Sequence, residues 1–491
     1  MVNSKVISLL RSFSAAEWKS FGKYLHSPYL NSNKRLCAFY AFLKKHHPAF
    51  GHAKLAKPIV FAALFPNKEI FDDRLVRVVM ADLHRAAESF LVFEQLKKDR
   101  RSRSKMLIRS YGGRGLYDRF ERHTNDLLED IDLLPSKSMA DYLDAFLLNQ
   151  EHYFHPRTEA LTTNADSLKN AVRRLDSFYA LAKLRLSCEL SARTKIVAEE
   201  AIYPLLDPVC GYIEKHLLDK DPAFGIYLDL LKINREGLTG ELFFGLKNKY
   251  LASRERLSFL EQKEVLIYLL NYAYQLALSA DRSFFYEQLE LYKIGLANGL
   301  LLDNGILPDI RFTNIAAVGS TVKKWKWTKN FIHSYSSLLP EDIAQDAIFL
   351  AESYLHFHRG NFLETDRIVN KISTNNVSYK FRQYSLSIRS LFEITLVHID
   401  YIELLLSRIY AYEKYLSRQK TFSKKRNSAE INFTKLVKKI SSCLANKNIT
   451  LEQWEQMKIE TEKTTPLAAK SWLLEKISKN LGRDRQKPVP R

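Results

Sequence analysis

The sequence predicts an all-α protein: an α-solenoid of antiparallel helical hairpins joined to a helical N-terminal domain. Three observations lead there. Glycine and proline are scarce, 16 and 14 in 491 residues, which disfavours strand-and-turn architectures. Leu, Lys, Ala and Glu recur at helical spacing through most of the chain. Finally, Ala316, Trp325, Thr328, Ile332 and Tyr335 are followed thirty-seven residues later by Ser353, Phe362, Thr365, Val369 and Ile372. A small residue on one helix, an aromatic opening the next, then a small and two larger packing residues describe one helical hairpin. A period of this size marks a stacked array, which grows lengthwise where a single core of this length would not.

The elements follow in order. Ser14-Ala15-Ala16-Glu17 is a capping box, flanked by Phe13 and Trp18 at staple positions, so a helix starts there and runs to about Leu25. Ser27-Pro28 stops it, since the residue before proline avoids helical geometry. Asn31-Ser32-Asn33 offers caps for the next helix, ending near His47-Pro48. A short helix over 57–64 ends at Phe65-Pro66-Asn67, and a long one spans about 72–99 with Asp72-Asp73 at its positive end. Leu75, Val78, Val79, Leu83, Ala86, Phe90 and Phe93 fall at three- and four-residue steps and predict its buried face. The basic run from Lys97 to Lys105 continues it. Gly112-Gly113-Arg114-Gly115 reads as a turn between antiparallel helices. No strand precedes it and no lysine follows at phosphate-loop spacing, so it does not read as a nucleotide cradle.

From residue 138 onward, helices are expected at 138–153, 165–192, 196–219, 222–236, 240–253, 259–280, 283–298, 309–321, 323–338, 341–358, 361–372, 378–398 and 400–418. Asp221-Pro222, Asn304-Gly305, Leu307-Pro308, Leu339-Pro340 and Arg359-Gly360 mark boundaries. Residues 419–429 read as a basic loop, followed by helices at 430–446, 450–463 and 467–480. The expected domains are therefore a basic helical N-terminal domain over 1–125, a repeat array over 126–418, a basic loop with capping helices over 419–480, and a disordered tail over 481–491.

The net charge of +20 is segregated. Residues 1–125 hold 24 Lys/Arg against 10 Asp/Glu, residues 126–410 hold 32 against 37, and residues 411–491 hold 19 against 8. Basic ends around an acidic middle suit an acidic partner, a phosphate backbone or simple solubility. Cys37, Cys188, Cys210 and Cys443 are widely spaced without a C-x-x-C pair, which fits neither a disulfide framework nor a zinc site. Lys5 and Arg11 interrupt any secretory apolar core, and the most apolar stretch, 265–278, contains Asn271 and Gln275 and is too short for a membrane span. A cytoplasmic protein without membrane attachment is the expectation.

Asn314-Ile315-Ala316 through Trp325 to Pro340, and Ser353 through Gly360-Asn361-Phe362 to Ile372, resemble tetratricopeptide repeats. The departures are Thr328 and Thr365 where that family has alanine, and Lys323 where it has the turn glycine. The resemblance implies small residues that let paired helices approach and aromatics, Trp325 and Phe362, wedged between them. The whole chain is similar to an uncharacterised bacterial family of helical-repeat proteins. Glu17-Trp18-Lys19, Ser27-Pro28-Tyr29-Leu30-Asn31, Ala63-Leu64-Phe65-Pro66, Glu290-Leu291-Tyr292, Leu302-Asp303-Asn304-Gly305 and Trp472-Leu473-Leu474-Glu475-Lys476 carry that likeness.

No H-E-x-x-H, G-x-S-x-G or Walker sequence is present, and no enzyme chemistry or cofactor is expected. The histidine pairs His152/His155 and His356/His358 read as helix-end or solvated side chains rather than metal ligands. The leading functional expectation is a non-catalytic scaffold holding a protein or peptide on the concave face made by the first helices of the hairpins, with Arg311 and Asn314 on that face. The alternative is nucleic-acid binding. Residues 61–91 resemble the DNA-binding part of regulators that join a winged helix to helical repeats. Arg74, Arg77, His84 and Arg85 would then lie near the duplex, with Lys97, Lys98, Arg100, Arg101, Arg103 and Lys105 on phosphates.

Overall fold

The computed structural model describes residues 1–50, 55–155, 165–197, 202–279, 281–418, 424–445 and 450–485. Among them the chain is all-helical, and a lone bridge between Asp303 and Ile306 is the sole β pairing. None of the described helices is long and apolar enough to cross a membrane. The chain divides into two compact units, Met1–Leu134 with Met139–Phe178, and Pro135–Ser138 with Tyr179–Arg491. The breaks between them fall at 134/135 and 138/139, between two helices, and at 178/179, inside one.

The first unit holds α1 (Lys5–Arg11), α2 (Ala15–Leu25), α3 (Lys34–Lys44), α4 (Lys57–Leu64), α5 (Asp73–Lys98), α6 (Arg100–Gly113), α7 (Tyr117–Asp132), α8 (Met139–Tyr153) and the start of α9 (Asp166–Val197). The capping box forms as the sequence dictates: Ser14 N–H donates to the Glu17 carboxylate at 2.9 Å, and Glu17 N–H returns to Ser14 Oγ at 3.2 Å. Trp18 stacks between Tyr40 and His47, with ring centroids 4.9 and 4.6 Å away. A methyl group on Gly22 would lie 2.6 Å from the Tyr40 hydroxyl, so this aromatic core requires glycine there.

Helix α5 buries Val76, Val79, Leu83, Ala87 and Phe90, not the full expected set. Val78 and Phe93 are 50% and 42% exposed. The helix carries two apolar stripes, and α1 to α4 all pack on the one containing Val76 and Ala87. The basic run is also not a straight continuation of α5. Asp99 takes an extended conformation, and its carboxylate accepts the Ser102 N–H at 2.9 Å, so it caps a new helix.

The second unit holds the rest of α9, then α10 (Leu206–His216), α11 (Pro222–Glu236), α12 (Gly240–Ser253), α13 (Phe259–Ser279), α14 (Phe284–Ala297), α15 (Asp309–Thr321), α16 (Trp325–Tyr335), α17 (Ala344–His358), α18 (Phe362–Val369), α19 (Val377–Thr395), α20 (Ile402–Arg418), α21 (Lys424–Ala445), α22 (Leu451–Lys463) and α23 (Lys470–Arg485). Most sequence neighbours pack in pairs, and α15 also packs on α17, and α17 on α19. Two terminal expectations change. Residues 424–429 belong to α21 rather than a loop, and α23 continues through 485. The remainder of the expected loop, 419–423, and of the expected tail, 486–491, lies outside the described residues.

The thirty-seven-residue likeness extends to the backbone. Lys323 and Gly360 both adopt left-handed conformations, φ 58° and 84°. After each, the next N–H reaches back five residues, Lys324 to Gly319 O and Asn361 to His356 O, both at 3.0 Å. These are two copies of one Schellman closure. The threonines standing for alanine satisfy themselves: Thr328 Oγ1 donates to Lys324 O at 3.0 Å and Thr365 Oγ1 to Asn361 O at 2.9 Å, which permits full burial. Asp309 and Asp346, also thirty-seven apart, each accept hydrogen bonds from a later segment, from the Tyr379 hydroxyl and from the N–H groups of Ser373 and Thr374.

The aromatic wedge expectation needs correction. Trp325 is 37% exposed with Arg359 lying over its ring, whereas Phe362 is half-buried and packs edge-on to Phe357. The two share a backbone position, but the side chains facing them differ. The tryptophan between α15 and α16 is Trp327, which stacks on Phe331 and closes over Gly319, where a methyl would meet Thr328 Oγ1 at 2.4 Å.

Lys323 holds a conformation that glycine adopts at lower cost. Lys323→Gly is expected to raise the stability of this unit by up to about 1 kcal/mol. Gly360→Ala, whose added methyl meets nothing within 4 Å, should lower it by a similar amount. Chemical-denaturation midpoints of the two variants check both signs.

Candidate functional site

The expected basic patch is largely engaged within the first unit. Three cations one helical turn apart on α6 face three carboxylates on α8: Arg101 pairs with Asp141, Lys105 with Asp144 at 2.7 Å, and Arg109 with Glu151 at 2.6 Å. Lys97 is held by Glu94 at 2.6 Å and Arg100 by Asp130 at 3.3 Å. Only Lys98 and Arg103 of the run have no carboxylate partner among the described residues. The acidic half of this ladder lies forty residues downstream, which is why the run looks unbalanced in sequence.

In the region expected to flank a duplex, Arg77 pairs with Asp73, Arg85 with Asp82 at 2.5 Å, and His84 with Glu88 at 3.4 Å. Arg74 is exposed and forms no ion pair among the described residues, so three of the four predicted cations are paired along their own helix.

Arg311 and Asn314 lie on α15, both half-buried. Arg311 donates to the Leu301 carbonyl at 3.0 Å and approaches Asp303 at 3.5 Å, so it braces the preceding turn. His152 contacts Ser167 Oγ at 2.8 Å and stacks on Phe120, as does His155. No group of three or more potential ligands for a metal occurs among the described residues. All four cysteines are free, and burial pushes the Cys188 thiol up to about 12, which makes it unreactive near neutrality.

A recess of about 450 Å³ in the second unit was not anticipated. Four first helices of successive pairs contribute to it: α13 through Ala277 and Leu278, α15 through Ala317 and Thr321, α17 through Tyr354, Phe357 and His358, and α19 through Arg389 and Glu393. Helix α23 adds Trp472, Glu475 and Lys476, and Arg282 stands at the rim. A second, apolar cleft of about 590 Å³ adjoins it, sharing Gly360, Phe362 and Glu393 and lined further by Leu363, Leu396 and Val397.

The charges in the recess are unequal in their commitments. Glu393 is satisfied: Lys476 Nζ lies 2.5 Å from Oε1, and Trp472 Nε1–H donates to the same oxygen at 3.1 Å. Glu475 pairs with Lys479 at 2.8 Å. His358 is enclosed, with its Nε2 3.4 Å from Thr321 Oγ1; burial, with Arg389 and Arg282 nearby, pushes its pKa down to about 4, so it is neutral at physiological pH.

Arg389 is different. Its guanidinium lies over the Phe357 ring at 4.9 Å, and its Nε donates to Ser385 O at 3.2 Å. It forms no ion pair among the described residues; burial pulls its pKa down, and the nearby Glu430 and Glu393 carboxylates oppose that fall.

Comparison with known proteins found no matching family model, no matching curated protein and no matching solved structure. The site therefore has to be read from its own geometry. Sequence spacing offered one partial signal for it. The Trp472-Leu473-Leu474-Glu475-Lys476 string was singled out, and its Trp472 and Lys476 both reach Glu393. Arg389, in the middle of a long helix, carried none.

Proposed function

We propose that the protein is a non-catalytic helical-repeat scaffold. Its second unit would be a tetratricopeptide-like α-solenoid of antiparallel hairpins that holds a segment of a protein partner. The observation that carries this reading is the recess lined in turn by α13, α15, α17 and α19, the surface that the first helices of stacked hairpins present to a ligand. The duplicated Schellman turns and the side-by-side packing of α15, α17 and α19 support the array. The charged groups of the recess support binding over catalysis. Glu393 and Lys476 neutralise each other, and Trp472 fixes the carboxylate, which leaves neither group poised as a base or nucleophile.

The test is selection of binders from a displayed library of random twelve-residue peptides on the whole chain. Selected peptides should compete with one another and lose most of their affinity for Ala317→Phe, whose ring would project into the recess. Thermal unfolding confirms that this variant is folded. Failure to select any peptide, or selected peptides indifferent to Ala317→Phe, would count against the reading.

A further inference from the structure

A cation in a recess and outside any ion pair keeps donors for a ligand. Arg389 is such a group: it lines the recess, Phe357 covers one face of its guanidinium, only its Nε has a hydrogen-bond acceptor among the described residues, and the nearby Glu430 and Glu393 carboxylates form no ion pair with it. Its remaining N–H donors form a fork matched to a carboxylate.

The surroundings narrow the ligand. Lys476 cancels Glu393, so the floor carries the charge of Arg389, and Arg282 adds a second cation at the mouth. Glu475 stands in the same wall, so a ligand carrying many negative charges would meet repulsion where a single carboxylate would not. Beyond Phe362 the adjoining cleft is apolar, and its Leu363 and Val397 are 60% and 77% exposed. One charged and one apolar cavity side by side suit an extended chain bearing two kinds of side chain.

We propose that the recess receives an Asp or Glu side chain of an acidic peptide segment, gripped by Arg389, while a large apolar residue a few positions away fills the cleft beyond Phe362. This rests on the scaffold reading above and specifies its ligand. Binding would be strongest where that acidic residue sits on a segment of net negative charge, which Arg282 attracts to the mouth.

The experiment uses synthetic, fluorescein-labelled versions of the selected peptides, each paired with a copy in which Asp and Glu become Asn and Gln. Anisotropy titrations compare the whole wild-type chain with Arg389→Gln and Arg389→Lys. The expected result is a loss of about tenfold or more on converting the acidic residue to its amide, and a similar loss for the acidic peptide with Arg389→Gln. The amide peptide should bind wild type and Arg389→Gln alike, and Arg389→Lys should recover part of the affinity.

Peptides that lose binding to Ala317→Phe but carry no acidic preference and ignore Arg389→Gln would overturn this inference and leave the scaffold reading in place. Peptides that bind Ala317→Phe unchanged would overturn both.

Discussion

Glu393→Ala is expected to destabilise the second unit by about 3 kcal/mol or more, among the largest effects a single substitution here can have. The carboxylate is 9% exposed and holds two partners, the Lys476 ammonium at 2.5 Å and the Trp472 indole N–H at 3.1 Å. Removing it takes the Glu393 carboxylate away from Lys476, whose side chain is only 13% exposed, and leaves Trp472 without this acceptor. The loss should appear first in α23, because both partners belong to that helix. Hydrogen exchange of its amides reads this directly. The double variant Glu393→Ala with Lys476→Met should regain part of the lost stability, since both members of the buried pair are then removed together. If α23 stays as protected in Glu393→Ala as in wild type, the pair does not hold the helix down.

Glu261→Gln should act in the opposite direction, with an effect that grows from about pH 5 and levels off above neutrality. Glu261 is 2% exposed at the start of α13, where its carboxylate accepts the Ser258 N–H at 3.0 Å and hydroxyl at 2.7 Å. Burial pushes its pKa up to about 7; the Ser258 hydrogen bonds and Arg185 oppose that rise, and Asp221 adds to it. A carboxyl whose pKa is raised by folding contributes stability that is fully present below its unfolded value near 4.3 and is lost as pH rises through 7. Glutamine accepts the same hydrogen bonds and does not ionise. The variant should therefore exceed wild type by roughly 3 kcal/mol at pH 8 and above, with the difference shrinking steadily toward pH 5. Unfolding midpoints of the two proteins between pH 5 and 9 test this. Parallel curves would show that Glu261 does not titrate in that window.

Much of the architecture was legible in the residues because it rests on local chemistry. Ser14 and Glu17 cap α2, Asn33 caps α3 and Asp221-Pro222 opens α11 through contacts spanning two or three residues, and sequence displays those directly. The repeat was legible too, but its meaning was partly misread. Trp325 and Phe362 share a register, yet their surroundings differ: Arg359, thirty-four positions on, lies over the first ring, while the second packs on Phe357, five positions back, beside Leu396, thirty-four positions on. The same limit hid the acid ladder behind Arg101, Lys105 and Arg109, and hid Arg389 altogether. A charge run is visible in sequence, whereas its neutralisation is a tertiary fact. Asp99 illustrates a smaller failure: one acidic residue in a basic stretch reads as dilution of charge, though its placement ends one helix and begins another.

The paired Schellman turns have an architectural consequence. Lys324 and Asn361 leave their turns with nearly identical torsions, φ −84° and ψ 54° against φ −84° and ψ 65°. A chain spliced from Lys323 directly onto Asn361 would set out along the direction it already takes, with one hairpin excised and no helix cut. Duplicating the same segment would lengthen the protein by an equal step. The turn within each helix pair is thus an interchangeable coupling, and the length of the second unit is a quantity that genetic recombination can adjust in whole increments.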